Sequence, residues 1–316
     1  MVFVYHKVMN MKIIINSTIS LVILLLLSGC TSKHSKELVS TYAKSTNSVT
    51  IKTQELFQDI KSTRLNSKSL VLLTKGSAVS VNELKFKEIN SVGINQTLSY
   101  LNDFSTALIE LSDDSSNKSL SKAMNKLNGS LSNLNDTTEK SLDNDDIVNI
   151  SSLVFSIGSS YLDSKKYDKL KEIIKVSEKS VTKKLYNLSE AILQFKSPYI
   201  RALKEERRRL LKVVNYPHHY YINKNNEEIR NTYLLKIDEH KELYKELVLL
   251  NKKIQLEPQR FELLSQTLKD TAKLHKKISI SLDNDDELSF SKIKKDTYDI
   301  KTKLKNIKQF KKEIKE

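Results

Sequence analysis

The sequence predicts an all-α protein: an elongated antiparallel helical bundle of about seven or eight helices behind an N-terminal signal peptide. Three observations carry this expectation. Glycine and proline are scarce, 5 and 3 among 316 residues, so little interrupts long helices. Apolar residues recur at steps of three and four along most of the chain, the spacing that gathers them on one side of a helix. A single cysteine and no tryptophan leave stability to the burial of Leu, Ile, Val and Tyr rather than to cross-links.

The first element is a leader. Met11-Lys12 supplies a positive flank, Ile13 to Leu27 an apolar core, and Leu27-Ser28-Gly29-Cys30 a small-residue run ending on the only cysteine. The apolar stretch is shorter than the roughly 20 residues that cross a bilayer. Met11 is read as the true start, with Met1 to Asn10 ahead of it. The Leu-Ser-Gly-Cys run resembles the lipobox of bacterial lipoprotein signal peptides at all four positions. The resemblance implies signal-peptidase recognition through Leu27, Ser28 and Gly29, cleavage before Cys30, a diacylglyceryl group on the Cys30 sulfur and an N-acyl chain on the new terminus. It also implies lipoprotein maturation enzymes as partners and a lipid-anchored body at the cell membrane or outer membrane. Thr31 after the cysteine favours the outer membrane in a double-membraned organism. An acylated Cys30 leaves no thiol for a disulfide, a zinc ligand or a nucleophile.

Residues 1–29 are thus expected as signal peptide, 30–36 as acylated cysteine and tether, and 37–316 as the bundle, with a split into two subdomains near 141–147 as an alternative to one body. Leu38, Tyr42, Val49, Leu56 and Ile60 place a first helix near 36–64. Residues 70–81, with Lys75-Gly76 at their centre, fit a helix-loop-helix or a short hairpin. From Val81, the apolar positions Ile94, Leu98, Leu101, Leu108 and Leu111 trace one face that stops at Asp113-Asp114-Ser115-Ser116. Leu120, Met124, Leu127, Leu131 and Leu134 trace the next, so the two form an antiparallel helical pair.

The hexapeptide Ser141-Leu142-Asp143-Asn144-Asp145-Asp146 recurs at Ser281 to Asp286. Neither copy has the turn glycine and distal glutamate of a calcium loop, and both are read as helix N-termini capped by Asp and Asn. The first precedes a helix carrying Ile147, Ile150, Val154, Ile157 and Tyr161. Between Tyr167 and Asn215 the helical period continues past Pro198, which predicts a kink there rather than an end. Asn215-Tyr216-Pro217 ends that helix, and a His-, Tyr- and Asn-rich loop runs to about Asn226. Ile237, Tyr244, Leu247 and Ile254 mark a returning helix that should stop near Pro258. Another begins at Phe261, and Ile293 to Ile314 lie on a terminal helix.

Two places stand out as contact candidates. Tyr216, His218, His219, Tyr220 and Tyr221 form an aromatic loop tip, a composition favoured in recognition elements. Adjacent histidines do not share a helix face, and no spacing builds a metal site, so no metal is expected. Arg201, Arg207, Arg208, Arg209 and Lys212 make a basic stretch, though consecutive arginines fan around the helix axis and Glu205 and Glu206 stand at pairing distance. The terminal segment from Lys292 adds ten lysines against four acids.

The formal net charge is +15, which concentrates anionic partners near the surface. No nucleophile elbow, dinucleotide fingerprint, phosphate loop or paired-carboxylate signature appears, so the chain reads as a non-enzyme without cofactor beyond its covalent lipid. An unfamiliar enzyme, such as a hydrolase, stays open as a second alternative. The expected role is a membrane-anchored envelope lipoprotein whose helical body binds or scaffolds another envelope protein. The alternative is a binder of anionic envelope polymer or lipid headgroups through basic helix faces. Nucleic acid is not an expected partner, because an exported body does not routinely meet it.

Overall fold

The computed structural model describes residues 2–73, 92–113, 117–135, 144–158, 166–215, 218–222, 228–232, 237–284 and 287–315. Seven helices among them build an all-α bundle: α1 (Val2–Leu73), α2 (Val92–Ser112), α3 (Asn117–Asn135), α4 (Asn144–Gly158), α5 (Lys166–Asn215), α6 (Ile237–Asn284) and α7 (Glu287–Lys315). Between α5 and α6 the chain forms one antiparallel ribbon of β1 (His218–Ile222) and β2 (Glu228–Thr232). Helix ends follow local chemistry. Asp168 opens α5 and Asp238 and Glu239 open α6, while Lys212 closes α5, each complementing the helix dipole.

The longest partnership is α5 against α6, helices of 50 and 48 residues. Cross-links from Lys175 to Asp283, Ser189 to Ser265, Lys196 to Glu262 and Arg207 to Asn251 show that they run antiparallel. α1 packs on α2, α5, α6 and α7, α3 lies against α2 and α4, and α4 returns to α5. Buried apolar residues on both sides of 141–147, including Leu131, Leu134, Ile150 and Val154, belong to one continuous core.

Pro198 lies inside α5, as its uninterrupted period predicts. Pro258 also lies inside a helix, contrary to the stop expected there. The reason is the seam. Leu250, Glu257, Phe261, Leu264 and Leu268 are buried in phase through the proline, and burial along α5 outweighs one lost backbone hydrogen bond. Both prolines fall between the Lys196–Glu262 and Arg207–Asn251 cross-links, so the two helices lose backbone bonds at about the same level. Tyr199 and Phe261, beside them, pack ring on ring at 5.3 Å.

Other expectations need correction. The second copy of the repeated hexapeptide does not start a helix as the first does: its Ser281 to Asn284 is the last turn of α6, Asp285 and Asp286 lie outside the described residues, and α7 begins at Glu287. Ser281 and Leu282 are buried, continuing the seam from Ile278, so packing overrides the capping preference. The first copy does open α4, which starts at Asn144. The loop expected after Asn215 contains the β1–β2 ribbon, because His-His-Tyr-Tyr-Ile has the aromatic and β-branched content of a strand. α1 extends past the expected end near 64 and is also helical through 30–36, where a tether was expected. No proline interrupts residues 1–73. Residues 74–91, with most of the expected hairpin or helix-loop-helix and the start of the helix placed from Val81, lie outside the described residues, as does Tyr161.

The seam of α1 is Val39, Tyr42, Thr46, Val49, Thr53, Leu56, Ile60, Thr63 and Ser67, all buried, at strictly alternating steps of three and four. Two of its threonine hydroxyls are satisfied within the helix: Thr46 donates to the Tyr42 carbonyl at 3.0 Å and Thr53 to the Val49 carbonyl at 2.9 Å. Such back-bonding lets a polar side chain sit in a core without an orphaned group.

If the proline level is held by packing, Phe261→Ala should cost about 3–5 kcal/mol in urea denaturation. Exposed Gln255→Ala on the same helix should stay within about 0.5 kcal/mol. Equal losses would show that the seam is not what carries α6 through Pro258.

Candidate functional site

The element that stands apart from the bundle is the ribbon. β1 pairs with β2 from His218↔Thr232 to Ile222↔Glu228. Among the described residues, the β1 and β2 backbones pack on each other and on no helix. The register sets His219 opposite Asn231, Tyr220 opposite Arg230 and Tyr221 opposite Ile229. Tyr216 lies outside the described residues.

Its place in the molecule follows from helix directions. α6 runs antiparallel to α1, since His275 stacks on Tyr42 and Arg260 binds Asp59. α5 runs antiparallel to α6. The α5–α6 connection therefore sits at the end where α1 finishes, away from Cys30. At 1.5 Å per residue, Cys30 and Leu73 are separated by about 65 Å along α1. Leu27, Ser28, Gly29 and Cys30 themselves are part of α1.

The basic stretch of α5 is largely engaged within the protein. Arg208 donates to both Glu205 carboxylate oxygens, at 2.8 and 2.7 Å, and Arg209 donates to the same group at 2.7 Å. Those hydrogen bonds, Arg208 first, hold the Glu205 carboxyl down at about 2. Arg207 reaches across to the Asn251 side chain on α6 at 2.8 Å. Arg201 is exposed and Lys212 half-buried, so the stretch does not converge on one anion. An open depression on α3 is lined by Lys118, Ser121, Lys122, Asn125 and Lys126.

Two buried polar groupings were not anticipated, because no motif or unusual local composition marks their members. At the proline level, the fully buried Arg260 guanidinium donates to Glu257 and Asp59, each at 2.9 Å, tying α6 to α1. Burial pushes the Glu257 carboxyl above its ordinary range even though Arg260 opposes it. The nearby Tyr199 hydroxyl is pushed up too, chiefly by burial and then by the Glu257 charge. Nearer the Cys30 end, His275 is fully buried, stacked on Tyr42 at 5.5 Å and edge-on to Phe104 at 5.7 Å. Burial lowers its pKa from 6.5 to about 3, opposed by the Ser177 backbone, so the ring is neutral in the folded protein. Above it Tyr100 and Ser180 share a hydrogen bond at 2.8 Å. The phase of the α6 seam, which runs through Glu257 and His275, is the signal that marks both as interior.

No helix among the described residues is long and apolar enough to cross a membrane. Comparison with known proteins finds no matching family model, no similar curated protein and no similar solved structure.

Arg260→Met should cost about 3–5 kcal/mol, because Glu257 is left buried without its cation. Arg260→Met/Glu257→Leu should recover most of that in chemical denaturation; a double variant as unstable as the single would deny the pairing. His275 gives a pH signature. Its folded pKa is depressed, so its contribution is whole above about 6.5 and is lost as pH falls toward 3, where the unfolded chain takes the proton first. His275→Leu should lose less stability between about pH 7 and about pH 4.5 than the native chain does. Parallel losses in both proteins would place the acid sensitivity elsewhere.

Proposed function

We propose that the protein is a lipid-anchored envelope protein whose helical body carries the β1–β2 ribbon to another envelope protein. The observation that carries the reading is the ribbon's place: among the described residues its backbone packs only strand against strand, at the bundle end far from Cys30. A lone two-stranded ribbon is marginally stable in water, so a partner that covers a face or pairs with an open edge would complete it. The Leu27-Ser28-Gly29-Cys30 run supports the anchor, since several acyl chains exceed the two-signal requirement for stable membrane attachment. Confinement to one surface raises the effective concentration of a partner in the same envelope without adding a contact.

In its own host, the native protein should lose everything before Cys30, gain acyl mass and sediment with membranes, while Cys30→Ser should remain unacylated. A photo-crosslinking residue at Tyr221 should then capture a discrete envelope protein that the same residue at exposed Gln255 on α6 does not. Unmodified Cys30 in a soluble protein would remove the anchor from this reading, and equal capture from both positions would remove the ribbon from it.

A further inference from the structure

α7 carries a second surface of different chemistry. Its buried seam is Ile293, Thr297, Ile300, Ile307 and Ile314, which packs on α1 and α6. The lysines bordering that seam are used internally: Lys303 binds Asp270 and Lys311 binds Glu55, the latter at 2.9 Å. Beyond them, Lys294, Lys301, Lys305 and Lys308 are exposed and have no ion-pair partner among the described residues. Tyr298, 70% exposed, stands in the same row.

These positions alternate by four and three residues. At about 100° per residue, all five fall within about 80° of the helix circumference, and the row is about 21 Å long. Between Lys294 and Lys308 no acidic residue enters that arc. Asp299 lies about 100° past its edge, and Asp296, farther round, is occupied by Lys277 at 2.5 Å. The result is a straight, narrow file whose successive positions are about 5–6 Å apart, three neighbouring lysines followed back along the helix by one aromatic ring and a fourth lysine.

We infer that this α7 face binds an extended phosphate-bearing polymer, laid along the helix axis. The charge complementarity is one-dimensional. A linear polyanion meets each ammonium in turn, whereas a single small anion meets only one or two. Lysine suits this partner because its ammonium is a point charge on a flexible stem and needs no fixed fork geometry. The arginines of α5, already held by Glu205 and Asn251, offer no such file. The inference is independent of the ribbon and of the lipid anchor.

The test uses the full chain in neutral detergent micelles, titrated with fluorescently labelled linear polyphosphate between about 50 and about 300 mM NaCl. Lys301→Gln/Lys305→Gln/Lys308→Gln is compared with a charge-matched triple on the exposed α3 row, Lys118→Gln/Lys122→Gln/Lys126→Gln. All six side chains are exposed, so both triples should keep the native circular dichroism. The α7 triple should bind at least about 10-fold more weakly and with a shallower salt slope, because fewer counterions are released. The α3 triple should change less than about 2-fold, and orthophosphate at equal phosphate concentration should compete poorly. Three results overturn the assignment. Native protein that does not bind polyphosphate removes it outright. Equal weakening in both triples makes binding a property of net charge. Loss confined to phosphatidylglycerol bicelles, with polyphosphate affinity unchanged, makes the face a membrane contact.

Discussion

Two helices of 50 and 48 residues stay in contact along their length only if the apolar seam does not wander off the interface. A straight α-helix drifts by about 20° for every seven residues of a strict heptad pattern, so a long seam demands supercoiling or local correction. In α6 the pattern from Leu250 through the partly buried Ile254, then Glu257, Phe261, Leu264, Leu268, Thr271, His275 and Ile278 to Leu282 holds steps of three and four without a slip. That periodicity is the left-handed coiled-coil condition. The rest of the molecule is arranged around this pair: α1 and α7 cover α6, while α2 and α4 cover α5. The paired prolines interrupt both helices at one level, where Tyr199, Phe261 and the Arg260 cluster fill the interface.

Much of the architecture was legible in the sequence because the period is carried by leucine and isoleucine in α2, α3, α4 and α5. It was less legible in α1. There half of the seam is Thr, Ser or Tyr, and only knowledge that a threonine hydroxyl can return to its own helix backbone identifies residues such as Thr46 and Thr53 as interior. Pro258 misled for a related reason. A proline removes one hydrogen bond, but the in-phase burial of residues on both sides outweighs that local loss. The second Ser-Leu-Asp-Asn-Asp-Asp copy shows the same precedence: Leu282 is in register with Ile278, and its seam position decides the outcome.

Candidate sites were legible where composition was unusual and hidden where chemistry lay inside the seam. The His-Tyr segment was found by composition, although its strand geometry depends on pairing with a segment beyond the turn. The arginine run was found too, yet its partners Glu205 and Asn251 remove it from the list of free cations. Arg260, Glu257 and His275 were passed over as ordinary helix residues, though two of them occupy seam positions. α7 illustrates the converse. Its lysines differ only in angular position: those near the seam neutralise Asp270 and Glu55, and those in the outer file remain available to solvent.

The hydroxyl-rich seam of α1 also bears on how the chain assembles. α1 is synthesised before the helices that cover it: Asp59 meets Arg260 201 residues later and Glu55 meets Lys311 256 residues later. Until then its inner face has no native cover from α6 or α7. A seam of leucines would spend that interval as an aggregation-prone stripe. Thr and Ser among Val, Leu and Ile keep the nascent helix tolerant of water, and hydroxyls such as those of Thr46 and Thr53 can donate to the carbonyls four residues before them within α1 itself. The polar seam thus reconciles a distant partnership with a long wait.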